Sequence, residues 1–175
     1  MQADLSKDYF ELFGLPVAFD LDINDLAVRY RQLQRQFHPD RFASAPAAER
    51  RLSVQMTAQI NAAFQTLKDP VARARYLLGL HGLDTGEETD TAMNPAFLME
   101  QMELREALAE TGHSSSREQE IESLRQRVEQ QFDARTVLLS KQFAENSEPA
   151  RRQARNLVRE LQFLQKMTQE IQELD

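Results

Sequence analysis

A stripe of apolar residues at helical spacing, closed by a proline, is the feature of this sequence that most limits its fold. Between residues 23 and 37 apolar side chains recur at steps of three and four, at Ile23, Leu26, Tyr30, Leu33 and Phe37. They occupy about 80° of a helix circumference, which is the narrow face of a helix that packs on a core. Asp22 suits the N-cap, and Pro39 ends the helix because it disfavours helical geometry in the residue before it.

Similar periodicity elsewhere predicts an all-α fold. The expected helices cover 6–13 (with Ser6 as a possible cap), 23–37, 46–68, 70–80, 95–111, 115–142 and 149–174. A Gly- and Thr-rich stretch separates the two groups of helices. We therefore expect an N-terminal domain over 1–78, built on an antiparallel helical hairpin, a linker over 79–94, and a C-terminal three-helix bundle over 95–175.

Composition and charge exclude several classes of function. The chain has no cysteine and three histidines, and no nucleophile–base set stands out. We therefore expect neither an enzyme nor a bound metal or cofactor. Residues 84–175 contain eleven Lys/Arg against nineteen Asp/Glu, which makes nucleic acid an unsuitable partner. No apolar run is long enough to span a membrane and the first residues do not resemble a signal peptide, so a cytoplasmic location is expected.

The tripeptide His38-Pro39-Asp40 follows the basic amphipathic helix and precedes a second amphipathic helix. Together, LAVRYRQLQRQF, HPDRF and QINAAFQTLKDPVARARYLL closely resemble the J-domain. The resemblance implies docking on a DnaK-type chaperone and stimulation of that chaperone's ATPase. The docking residues would be Arg31, Arg35, His38, Pro39, Asp40 and Arg41. An alternative is a purely structural helical adaptor in which the tripeptide is incidental.

A second candidate surface lies on the helix that begins at Pro95. Phe97, Gln101, Leu104 and Leu108 share one face and are expected to be buried. A separate arc carries Leu98, Met99, Met102, Glu103, Glu106 and Glu110. Burial against neighbouring helices could account for the three apolar residues of this arc. An exposed apolar patch with a carboxylate border is the alternative that we favour, because such patches bind partners.

The runs DYFELFGLP, YLLGLHG and NPAFLMEQMELREALAE closely resemble the HscB family, the J-type co-chaperones of bacterial iron–sulfur cluster assembly. The resemblance implies that the C-terminal bundle binds the iron–sulfur cluster scaffold protein and that the J-domain recruits the chaperone HscA. It assigns scaffold binding to the arc described above and to Phe163, which is expected to be exposed. Met102 stands where the family motif usually has leucine. A J-protein that serves a different client remains the alternative.

Overall fold

The computed structural model describes residues 5–83, 94–111 and 116–174. Within these ranges all regular structure is helical, so the predicted all-α class is confirmed. The chain divides into two compact units, Met1–Leu77 and Leu78–Asp175. Most of the predicted linker, residues 84–93, lies outside the described residues, and the exact domain boundaries stay a prediction.

The first unit is built around a hairpin of two long helices. Its elements are α1 (Tyr9–Phe13), α2 (Ile23–Phe37), a 3-10 turn (Pro39–Phe42), α3 (Ala47–Lys68) and α4 (Pro70–Leu80), which extends past the division between the units. Leu26 of α2 and Ile60 of α3 are fully buried, and the Tyr30 ring stacks on Phe64 with 4.0 Å between centroids. Asp22 caps α2 as predicted: its carboxylate accepts hydrogen bonds from the backbone N–H groups of Asn24 and Asp25. The 3-10 turn occupies part of the connection between α2 and α3.

The start of the first helix differs from the prediction. Asp8, not Ser6, is the N-cap, and its carboxylate accepts a hydrogen bond from the Glu11 N–H at 2.8 Å. The Glu11 carboxylate in turn accepts from the Asp8 N–H at 3.2 Å. This capping box satisfies two N–H groups that would otherwise lack helical partners, which explains why the helix begins at Tyr9.

The second unit contains the three predicted helices, α5 (Pro95–Glu110), α6 (Arg117–Glu145) and α7 (Glu148–Gln172). One cluster of buried residues joins all three helices: Leu104, Ile121, Leu124, Val128, Leu164, Met167 and Ile171. Helix α6 continues three residues beyond its predicted end and stops at Asn146, whose left-handed backbone (φ 50°) closes it. Ser147 then caps α7, so the connection between α6 and α7 is tight.

Candidate partner-binding sites

The carboxyl end of α2 is held by side chains from two directions. The Thr57 hydroxyl of α3 donates to the Phe37 carbonyl at 3.0 Å, and the Arg41 guanidinium donates to the Arg35 carbonyl at 3.1 Å. These carbonyls belong to the last turn, where helical N–H partners are missing. The two hydrogen bonds therefore fix the point from which the His38-Pro39-Asp40 turn projects.

Within that turn the polar groups face solvent. The His38 backbone is extended (φ −57°, ψ 129°), and its Nδ1 accepts a long hydrogen bond (3.3 Å) from the Asp40 N–H. The Asp40 carboxylate lies 3.5 Å from Nδ1 and is 91% exposed. The turn thus presents an imidazole and a carboxylate on a backbone stiffened by Pro39.

The arginines of α2 and of the turn are of two kinds: some are available for docking, and others already hold parts of the fold. Arg31 and Arg35 are exposed on α2, as the sequence predicted. Arg41 is also exposed, but its guanidinium is already engaged with the end of α2. Arg29 is structural: it pairs with Asp25 at 2.9 Å and donates to two carbonyls at the end of α1. The cationic face available for docking therefore centres on Arg31 and Arg35.

The arc on α5 carries the second candidate site. Leu98, Met99 and Met102 are 43%, 65% and 62% exposed, so the alternative of burial by neighbouring helices is wrong. Glu103, Glu106 and Glu110 are exposed along the same helix. We call these six residues the α5 patch. It combines an apolar centre with carboxylates, as expected for a partner-binding surface rather than for a random distribution of side chains.

Phe163 is half-buried, and the expectation that it is exposed was wrong in that respect. Its ring meets the Phe97 ring edge-on with 5.7 Å between centroids, and the Arg105 guanidinium lies 5.5 Å above it. Phe163 also packs against the buried cluster of the bundle. The reason is that an aromatic ring at the border of the core face of α7 can cover its neighbour while keeping one edge in solvent. On the opposing helix, Gln101 and Leu108 are likewise only partly buried, whereas Phe97 and Leu104 are buried as predicted.

An ion-pair network that the sequence did not reveal anchors the first half of α5. Arg135 of α6 binds Glu100 of α5 and, at 2.6 Å, Glu160 of α7, and its guanidinium lies 5.2 Å from the Phe97 centroid. Its side chain is only 14% exposed. The partners are 35 and 25 residues away in sequence, so no local spacing could have indicated the network. One turn further along α5, Glu103 of the patch pairs with Arg127 of α6 at 2.8 Å.

Two groups in the first unit have shifted pKa values. Burial raises the pKa of Tyr76, although the hydrogen bond that its hydroxyl accepts from the Tyr9 N–H at 2.9 Å opposes this shift. Burial also lowers the pKa of the Arg73 guanidinium, which donates to the Leu67 carbonyl at 2.7 Å. Both groups tie α4 to the rest of the first unit and have structural rather than docking roles.

Neither candidate site has the donor set of a metal centre. In the described ranges no group of three or more His, Asp or Glu side chains is placed to hold a metal ion. In the same ranges no helix is both long and apolar enough to cross a lipid bilayer. Both candidate sites consist of surface groups suited to protein contacts.

A helical hairpin whose basic helix ends in a projecting His-Pro-Asp turn defines a J-domain co-chaperone. Residues 8–76 match the family model described as DnaJ domain, and residues 93–172 match the model described as HSCB C-terminal oligomerisation domain. The structure is similar to the chaperone HscB from Vibrio cholerae (39% identity, TM-score 0.84), with 96% of this chain and 97% of that chain covered. It is also similar to the human co-chaperone protein HscB (30% identity, TM-score 0.89), with 98% and 83% covered. The chain belongs to the HscB family of J-domain co-chaperones.

Proposed function

We propose that this chain is an adaptor of iron–sulfur cluster assembly, with one partner for each of its two units. The J-domain engages a DnaK-type chaperone of the HscA kind and stimulates its ATPase. The C-terminal bundle binds the iron–sulfur cluster scaffold protein and delivers it to that chaperone. The chemistry of ATP hydrolysis belongs to the chaperone, and a cytoplasmic location stays a prediction from the sequence.

The projecting turn supports the chaperone half of the proposal. Asp40 is an exposed carboxylate that can accept a charge-assisted hydrogen bond from an arginine of the partner. Arg31 and Arg35 supply positive charge that steers an acidic partner surface toward the turn. Because the end of α2 is fixed by hydrogen bonds to Phe37 and Arg35, little conformational entropy is lost when the turn docks.

The α5 patch supports the scaffold half, and it is the observation that carries the proposal beyond a general J-protein. Three large apolar side chains remain in solvent on one helix, although the same helix buries Phe97 and Leu104. Burying them against a partner recovers about 25 cal/mol per Å² of apolar area. Glu106 and Glu110 extend the surface toward basic groups of a partner. Phe163 contributes the exposed part of its half-buried ring and also contacts Phe97.

The decisive experiment measures steady-state ATP hydrolysis by the HscA-type chaperone with this chain, with the scaffold protein, and with both. An adaptor that brings scaffold and chaperone together predicts that the two additions stimulate hydrolysis by more than the sum of their separate effects. His38→Gln should remove the contribution of this chain. His81→Gln, which changes an exposed histidine outside the turn, is the matched control and should behave as the unmodified chain.

Two results would contradict the proposal in different ways. If the unmodified chain does not stimulate the ATPase, or His38→Gln stimulates equally well, the tripeptide is incidental and the chaperone half fails. If stimulation is normal but the scaffold neither binds the chain nor adds to the effect, the chain is a J-protein with a different client.

A further inference from the structure

The methionines of this chain fall into two sharply different environments. The chain has six methionines and no cysteine. In the described part of the chain, Met56 and Met167 are core residues with 2% and 0% exposure. Met99 and Met102 are 65% and 62% exposed and lie three residues apart on one face of α5. Both exposed methionines of the described ranges therefore lie in the α5 patch.

Exposure decides which thioether a dissolved peroxide can reach. The sulfur lone pair attacks one peroxide oxygen, the O–O bond breaks, and a sulfur–oxygen bond forms. Sulfur is oxidised by two electrons and the peroxide is reduced. The proton of the attacked oxygen passes to the second oxygen, which leaves as water from hydrogen peroxide or as an alcohol from an organic hydroperoxide. The product is methionine sulfoxide. No thiol of this chain competes for the oxidant, because the sequence contains no cysteine.

The surroundings of these two residues make oxidation consequential. A sulfoxide oxygen only accepts hydrogen bonds, and the neighbouring carboxylates of Glu103 and Glu106 are acceptors too, so they cannot satisfy it. The nearby donors already have contacts: Arg127 pairs with Glu103 at 2.8 Å, and the Arg105 guanidinium lies 5.5 Å from the Phe163 ring. A sulfoxide that drew either arginine away would disturb the surface that the partner meets. When the patch meets an apolar surface of the partner, a sulfoxide oxygen that finds no hydrogen-bond donor there destabilises the contact.

We infer that Met99 and Met102 are modification sites at which hydroperoxides switch off partner binding by the α5 patch. The switch rests on the proposed scaffold binding. It is reversible, because methionine sulfoxide reductases restore the thioether. The J-domain is left unchanged, since Met56, its methionine within the described residues, is buried. Oxidation thus separates the two activities of the chain, leaving ATPase stimulation while removing scaffold delivery.

The test begins with hydrogen peroxide treatment of the full chain, followed by fragment-ion mass spectrometry that assigns the added oxygen to individual methionines. Scaffold affinity is then measured before and after treatment, and again after incubation with reductases for both sulfoxide epimers. We expect Met99 and Met102 to be oxidised well before Met56 and Met167. Scaffold affinity should fall at least about tenfold, corresponding to one unsatisfied polar group at the interface, and return after reduction.

The comparison variant is Met99→Leu/Met102→Leu, which keeps apolar volume but has no thioether in the patch. For each protein the ratio of affinities before and after peroxide is the quantity compared, whatever its starting affinity. This ratio should be large for the unmodified chain and close to one for the variant. Equal ratios, or oxidation of Met56 and Met167 as fast as Met99, would overturn the inference while leaving the proposed function intact. Failure of the untreated chain to bind scaffold would instead contradict the proposed function.

Discussion

The two candidate sites use opposite physical means of recognition. The His38-Pro39-Asp40 turn presents a few directed polar groups on a backbone that is fixed by Pro39 and by hydrogen bonds at the end of α2. The α5 patch presents apolar area on a regular helix, with carboxylates around it. Directed polar contacts fail when one atom is changed, whereas apolar contacts weaken in proportion to the area removed. The turn should therefore be the less tolerant of the two surfaces.

Asp40→Asn tests the intolerance of the turn and should have the largest effect. The substitution preserves shape but removes the charge of an acceptor that is almost fully exposed. A hydrogen bond to a charged group contributes about 1.5–3 kcal/mol, so the efficiency of ATPase stimulation should fall by about 10- to 100-fold. Titration of chaperone ATPase against this chain measures it. Glu49→Gln, at an exposed carboxylate early in α3, is the matched control. Full stimulation by Asp40→Asn would remove the contrast between the two sites.

Leu98→Ala/Met102→Ala tests the dependence of the α5 patch on apolar area. Truncating both side chains should lower scaffold affinity about tenfold or more, since each loses contact area but no directed bond. Binding measured by calorimetry should show this loss, while ATPase stimulation without scaffold stays normal. Phe163→Ala is less suitable, because Phe163 also supports Phe97 in the bundle.

The control for that pair is Val137→Ala/Leu138→Ala, which truncates two apolar residues of α6 that are 57% and 45% exposed. If this control weakens scaffold binding as much as the α5 pair does, the binding surface is not confined to α5. The comparison with the turn would then have to be drawn for a wider face of the bundle.

Arg135→Met tests whether the α5 patch depends on the ion pairs that Arg135 makes with Glu100 and Glu160. The change leaves Glu100 and Glu160 without their shared cation, and both carboxylates are largely shielded from water. These ion pairs are neither fully exposed nor fully buried, so we expect Arg135→Met to lower the free energy of unfolding by about 1–2 kcal/mol. Hydrogen exchange should show faster exchange in α5 and unchanged exchange in α2. Arg152→Met, which breaks an exposed pair with Glu148, should cost much less.

The smallest expected effect is the contribution of Tyr76 to the pH dependence of stability, and it concerns only the J-domain. Its pKa is raised in the folded chain, so folding favours the protonated hydroxyl. This contribution to stability is present below the unfolded-state pKa of about 10 and is lost as the pH rises through the folded-state pKa. The melting temperature should therefore decrease at alkaline pH, and by less in Tyr76→Phe. Tyr30→Phe is the control and should show the same decrease as the unmodified chain. If its decrease is as small as that of Tyr76→Phe, Tyr76 is not the group responsible.

The local features of the sequence predicted most helices to within a few residues, because caps and prolines act on their immediate neighbours. Asp22 and Pro39 bound α2 as expected, and both the tripeptide and the arc on α5 lie on the surface. The first helix was the exception. Ser6 and Asp8 are both suitable caps in isolation, and only the reciprocal bonds with Glu11 choose between them.

The sequence by itself determined the all-α class and the amphipathic faces, since helical periodicity places each residue on one side or the other of its own helix. The residues predicted for the two candidate sites came from the resemblance to the J-domain and to the HscB family. Only the tertiary structure decided which neighbours those faces meet. It showed that Arg29 holds the end of α1, that Phe163 is half-buried against Phe97, and that Arg135 links three helices. These contacts join residues far apart in the chain, and their formation depends on how helices pack, which no short stretch of sequence specifies.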